Sequence, residues 1–145
     1  MKAHIRPQEA RREIGKTALC AGFAPERLAV LSAVLGEQGI RPRPVAADEL
    51  GQTVGALAGL DAPFAVPAKA THTGAECLVL CGLGNDDLNA LLDALREAGL
   101  KIPYKAMLTP HNRAWTLDHL IGQLADEHEQ LARAAAQKKE GAAGC

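Results

Sequence analysis

Cys77-Leu78-Val79-Leu80-Cys81-Gly82-Leu83-Gly84-Asn85-Asp86-Asp87-Leu88-Asn89-Ala90-Leu91-Leu92-Asp93-Ala94-Leu95-Arg96-Glu97-Ala98-Gly99 is the stretch that decides the fold. Its first residues form a short apolar run closed by a glycine, the pattern of a buried parallel strand entering a turn. Asn85-Asp86-Asp87 then puts carboxylates at the positive end of a helix dipole. Leu88, Leu91, Leu92 and Leu95 recur at helical spacing, with Asn89, Asp93, Arg96 and Glu97 on the other side. Gly99 stands where a helix C-cap glycine belongs.

The same signals occur 60 residues earlier, with Gly22 over Gly82. Leu28, Leu31, Leu35, Glu37 and Gly39 then fall on Leu88, Leu91, Leu95, Glu97 and Gly99. Without a gap the match continues through Arg41 over Lys101 to Ala46 over Ala106. This predicts an internal duplication. The first copy opens with strand Thr17–Ala21, and Pro25 fits the first turn of its helix. Second strands are predicted at Ile40–Ala46 and Leu100–Leu108. Pro42 and Pro44 cannot donate ladder hydrogen bonds, so the first of these belongs at a sheet edge. Second helices are predicted at Asp48–Ala58 and from Thr116 to about Gln137.

The expected fold class is therefore α/β: two β-α-β-α pseudo-repeats, 17–60 and 77–137, sharing one mainly four-stranded sheet packed with helices. Together they are expected to make a single compact domain over 1–145. A Pro-, Ala- and Thr-rich linker, 61–76, joins the copies, with a short extended piece at Phe64–Val66. A disordered tail is expected from about Lys138.

Composition narrows function mainly by exclusion. The chain has 145 residues, 48% of them hydrophobic and 3% aromatic, and a net charge of −1. That charge leaves no electrostatic footprint for nucleic acid or an anionic membrane, and the basic pairs Arg11-Arg12, Arg41/Arg43 and Lys138-Lys139 read as solvated surface. No apolar run approaches a membrane span and Met1–Lys16 lacks a signal peptide's apolar core, so a cytoplasmic protein with free thiols is expected.

Four places could carry chemistry. Cys81-Gly82-Leu83-Gly84-Asn85-Asp86-Asp87 begins like a phosphate loop, but Asp86 and Asp87 occupy the niche a phosphate would use, so a capped turn is expected. Cys77 and Cys81 lie ~13 Å apart along one strand, too far for a disulfide. His119 and His128 are likewise ~13 Å apart along one helix and cannot share an ion. No metal and no cofactor is expected. The best candidate is the polar loop around Lys105, Thr109, His111, Asn112 and Trp115, which holds the only tryptophan. It is expected to have no counterpart in the first copy, which should pass almost directly from Ala46 into its second helix.

Three stretches carry a resemblance: Ile102-Pro103-Tyr104-Lys105-Ala106-Met107-Leu108-Thr109-Pro110, Asn112-Arg113-Ala114-Trp115-Thr116-Leu117, and Glu127-His128-Glu129. From about Cys77 to Glu129 the chain resembles a bacterial domain of unknown function. The resemblance implies a bacterial source and a self-contained α/β domain, and no activity. The expected function is a small non-enzymatic module that binds a small molecule or a protein near Lys105–Trp115. One alternative is an enzyme using Lys105 or His111. Another is a structural homo-oligomer, such as a homodimer, pairing through the loop or the last helix.

Overall fold

The computed structural model describes residues 15–143, with side chains through Gln137. Arg11-Arg12 and Cys145 lie outside the described residues. The apolar runs form strands β1 (Thr17–Ala21) and β3 (Cys77–Cys81), buried at every position. Each feeds a helix of 13 residues, α1 (Pro25–Glu37) and α3 (Asn85–Glu97). Pro25 starts α1, while Asp87 accepts from the Gly84 N–H at 3.1 Å and closes the turn into α3. Gly39 and Gly99 end these helices at φ +71° and +72°, a conformation that costs a side-chain-bearing residue 1–2 kcal/mol or so.

Strands β2 (Arg41–Val45) and β4 (Tyr104–Met107) flank the pair in the order β2-β1-β3-β4. β1 and β2 are parallel, as are β3 and β4, and β1 meets β3 antiparallel. The central register puts Leu19 opposite Val79, Thr17 opposite Cys81 and Ala21 opposite Cys77. Leu19 and Val79 are the same position in the two halves, so a pseudo-twofold axis passes between them. β2, with its two prolines, is an edge strand.

Helices cover both faces of the sheet. On one, Ala18, Cys20, Leu78 and Leu80 pack under Leu31, Val34 and Leu35 of α1 and Leu91 and Leu95 of α3. On the other, Leu19, Ala21, Val79 and Cys81 pack under α2 (Val54–Leu57) and α4 (Leu117–Ala143). Each fully buried Leu or Val contributes about 1.5–3 kcal/mol relative to exposure, so these two aliphatic layers substitute for the missing aromatics.

Several sequence expectations need correction. The 60-residue offset holds through Gly39 and Gly99 and then fails. Arg41 stands opposite Thr17, but the residue opposite Cys77 is Tyr104, an offset of 63. Lys101-Ile102-Pro103 are the extra residues; Ile102 turns into the core at 3% exposure and delays the strand. β4 is thus shorter than Leu100–Leu108, and Ala106 corresponds to Arg43 rather than Ala46. The helix expected at Asp48–Ala58 breaks into a 3-10 turn, Ala47–Glu49, and the four-residue α2. The last helix continues to Ala143, through most of the expected tail.

Candidate functional site

The offset of 63 changes the reading of the polar loop. Thr109–Thr116 does have a counterpart, Ala46–Thr53. In the second half, the Thr109 N–H donates to Asn112 Oδ1 at 2.9 Å; in the first, the Ala46 N–H donates to Glu49 Oε1 at 2.9 Å. The Trp115 N–H reaches the Asn112 carbonyl, as the Gln52 N–H reaches that of Glu49. Thr53 and Thr116 cap the following helices through their hydroxyls, which accept from the Ala56 and His119 N–H groups.

The two loops also cap each other's helices. The first N–H groups of any helix lack intrahelical partners. Val54 and Gly55, which open α2, donate to the carbonyls of Trp115 and Arg113 at 2.8 and 2.9 Å. Leu117 and Asp118, which open α4, donate to those of Gln52 and Leu50, both at 3.0 Å. Thr53 and Thr116 pair directly in an antiparallel bridge on the pseudo-twofold axis. Trp115 is therefore held on a backbone clasped from both sides.

Its surface differs from that of its counterpart. Trp115, half-buried, stands between two imidazoles: His111 meets it edge-on with centroids 5.0 Å apart, and His119 at 4.8 Å. Both histidines are exposed. Asn112 lies beneath, 7% exposed, and its Nδ2 donates to the Met107 carbonyl at 3.0 Å. Thr109, His111, Asn112 and Trp115 thus come together as one loop. Lys105 does not join them. It pairs with Leu78, on the face covered by α1 and α3, and its Nζ donates to the Ile102 carbonyl at 2.7 Å. There it lines an open cleft of about 460 Å³ with Leu92, Leu95 and Arg96. His119, considered in the sequence only as a metal ligand, belongs to the site because it lies one helical turn beyond Trp115.

In the first half, the positions matching His111, Trp115 and His119 are Asp48, Gln52 and Ala56. All three line a cleft of about 330 Å³, along with Pro63 and Pro67 of the linker. Gln52 holds the linker at both backbone groups of Phe64: its Oε1 accepts the N–H at 2.7 Å, and its Nε2 donates to the carbonyl at 3.0 Å. The Ala68 N–H reaches the Gly51 carbonyl, and a Cβ on Gly51 would meet Ala68 backbone oxygen at 1.8 Å. Asp61 forms a two-point ion pair with Arg113.

Farther along, the linker is fastened by Asp118. Its carboxylate accepts from the Thr71 N–H and hydroxyl and the His72 N–H, and lies 3.2 Å from His72 Nδ1. Burial pushes the Asp118 pKa upward, but these hydrogen bonds together outweigh it and hold the carboxyl below its ordinary value. Nothing in the local sequence announces this contact, because it joins positions more than forty residues apart.

The other sequence candidates have structural roles. Burial pushes the Cys77 and Cys81 thiols up to about 12 and Cys20 to about 11, far from the thiolate that cysteine chemistry needs. Asp87 binds Lys16 and the Gly84 N–H, which together hold its pKa down. His128 packs edge-on to Tyr104 at the far end of β4.

One family matches part of this architecture. Residues 76–131 match a domain of unknown function, DUF3783. The DUF3783 stretch spans β3, α3, β4, the Trp115 loop and the packed part of α4. It thus covers one β-α-β-α unit and omits the first half and all but the last residue of the linker. No curated protein and no solved structure matches the chain. Among the described residues, no helix is long and apolar enough to cross a membrane.

Proposed function

We propose that this chain is a non-enzymatic binding module whose contact surface is Trp115 flanked by His111 and His119. The observation that carries the reading is a half-buried tryptophan, edged by two exposed imidazoles, on a loop anchored by Asn112 and the Thr53–Thr116 bridge. Rigid aromatic side chains supply large contact area at small entropic cost. The separation of Lys105 from His111 weighs against an acid–base pair at this loop.

The matched offsets and paired loops support descent from an internal duplication of a DUF3783-like unit, with 17–60 and 77–137 forming one domain around linker 61–76. The sequence resemblance supports a bacterial source. Free buried thiols at Cys20, Cys77 and Cys81 fit a cytoplasmic setting.

A pull-down and a thermal-shift screen against metabolites, run on the parent chain and on Trp115→Ala and Lys105→Ala, test the reading. Binding should disappear with Trp115→Ala and persist with Lys105→Ala. Binding that survives Trp115→Ala contradicts it.

A further inference from the structure

We propose that the His111–Trp115–His119 surface docks a proline-containing segment of a partner protein, in the place where the first half is covered by this chain's own linker. The inference rests on the binding reading above and names the partner's chemistry.

The pseudo-twofold correspondence carries the argument. Asp48, Gln52 and Ala56 are the first-half equivalents of His111, Trp115 and His119; they line one cleft with Pro63 and Pro67 of the non-helical linker, and Gln52 is bonded to it at Phe64. The same backbone clasp presents the second set of side chains. Among the described residues, no hydrogen bond or ring contact joins linker positions 61–76 to those three side chains.

The exchange of Gln52 for Trp115 specifies what would fit. Gln52 offers both an acceptor and a donor, and uses them on the N–H and C=O of Phe64. An indole offers a donor only. A segment docked on Trp115 can satisfy its carbonyl from the indole N–H, but an N–H at that residue would find no acceptor on the indole, where Gln52 supplies one. Proline is the residue that has the carbonyl and lacks the N–H. Proline-rich segments also suit aromatic-lined surfaces, because their backbone is already ordered before binding.

The test uses the chain's single tryptophan as reporter. The intact chain is titrated with a ten-residue polyproline peptide, and with a ten-residue Gly-Ser peptide as control, following tryptophan fluorescence. A saturable change below about 1 mM is expected with polyproline alone. His111→Ala/His119→Ala, checked for native circular dichroism, should weaken it roughly tenfold while keeping the reporter. No saturable change with polyproline, or an equal one with Gly-Ser, overturns the proposal. If Trp115-dependent capture persists in the pull-down while polyproline fails, the proline reading falls and the binding reading stands; if both fail, both fall. Sedimentation without peptide supplies the remaining arm. Self-association that changes tryptophan emission would identify a second copy as the occupant and also overturn the proposal.

Discussion

Ala46–Thr53 and Thr109–Thr116 follow similar backbone paths with different side chains, the first through a 3-10 turn at Ala47–Glu49. Glu49 closes the first turn from a partly exposed position and also pairs with Arg43 at 3.0 Å. Asn112 closes the second while buried, and spends both amide atoms on the backbone. Over the first loop, Gly51 admits the linker to contact; at the matching place in the second stands Ala114, exposed. The comparison separates the requirements of the fold, met in both loops, from features present in only one. The fold requires a turn-closing side chain, a threonine cap and reciprocal helix capping. Only the second loop carries the aromatic set.

The largest effect should come from the closing residues. Asn112→Ala leaves the Thr109 N–H and the Met107 carbonyl without their partner, and should cost roughly 2–4 kcal/mol in urea unfolding. Glu49→Ala, at the matching place, should cost about 1 kcal/mol, since water can replace a partly exposed cap. Equal losses would break the distinction between the loops. Next comes Gly51→Ala, whose new Cβ must displace backbone: roughly 1–3 kcal/mol, with faster proteolysis in 61–76. Ala114→Gly should stay within about 0.5 kcal/mol.

A smaller effect distinguishes Asp118 from its counterpart Gly55. The folded carboxyl titrates below its ordinary value of 3.8, so its contribution is complete above that value and is lost as pH falls through the lower folded pKa. Asp118→Asn should therefore make the acid limb of the stability profile shallower, with Glu49, Asp61 and Asp87 supplying what remains, and leave the first loop's contacts intact. An Asp118→Asn profile with the same acid slope as the parent would remove Asp118 as the linker's fastening. Smallest of all, Lys105→Ala should change stability by less than about 0.5 kcal/mol and leave tryptophan emission unaltered, because Lys105 faces the other side of the sheet.

What the sequence made legible was local. The strand runs, the glycines ending α1 and α3, and the edge character of Pro42 and Pro44 all depend on residues within a few positions of one another. The antiparallel meeting of β1 and β3 was not legible, since no local signal sets the pairing of two equally apolar strands. The loop's counterpart was hidden by Lys101-Ile102-Pro103. A comparison allowing that insertion would place Thr53-Val54 over Thr116-Leu117 and Leu57 over Leu120, and the loops would have aligned. Of the candidate site, Thr109, His111, Asn112 and Trp115 read as one loop in the sequence. Sequence proximity groups Lys105 with them, because it does not reveal which sheet face a strand residue takes. The place of His119 is not legible, because its relation to Trp115 depends on where α4 begins.

The reciprocal clasp underlies the whole comparison, and native-state hydrogen exchange tests it directly. First-turn helix amides ordinarily exchange fast for want of partners. Here the amides of Val54, Gly55, Leu117 and Asp118 should all be protected, and should lose protection together under mild denaturant. Slow exchange at Leu117 and Asp118 with fast exchange at Val54 and Gly55 would show that the loops do not cap each other, and would remove the correspondence between Gln52 and Trp115.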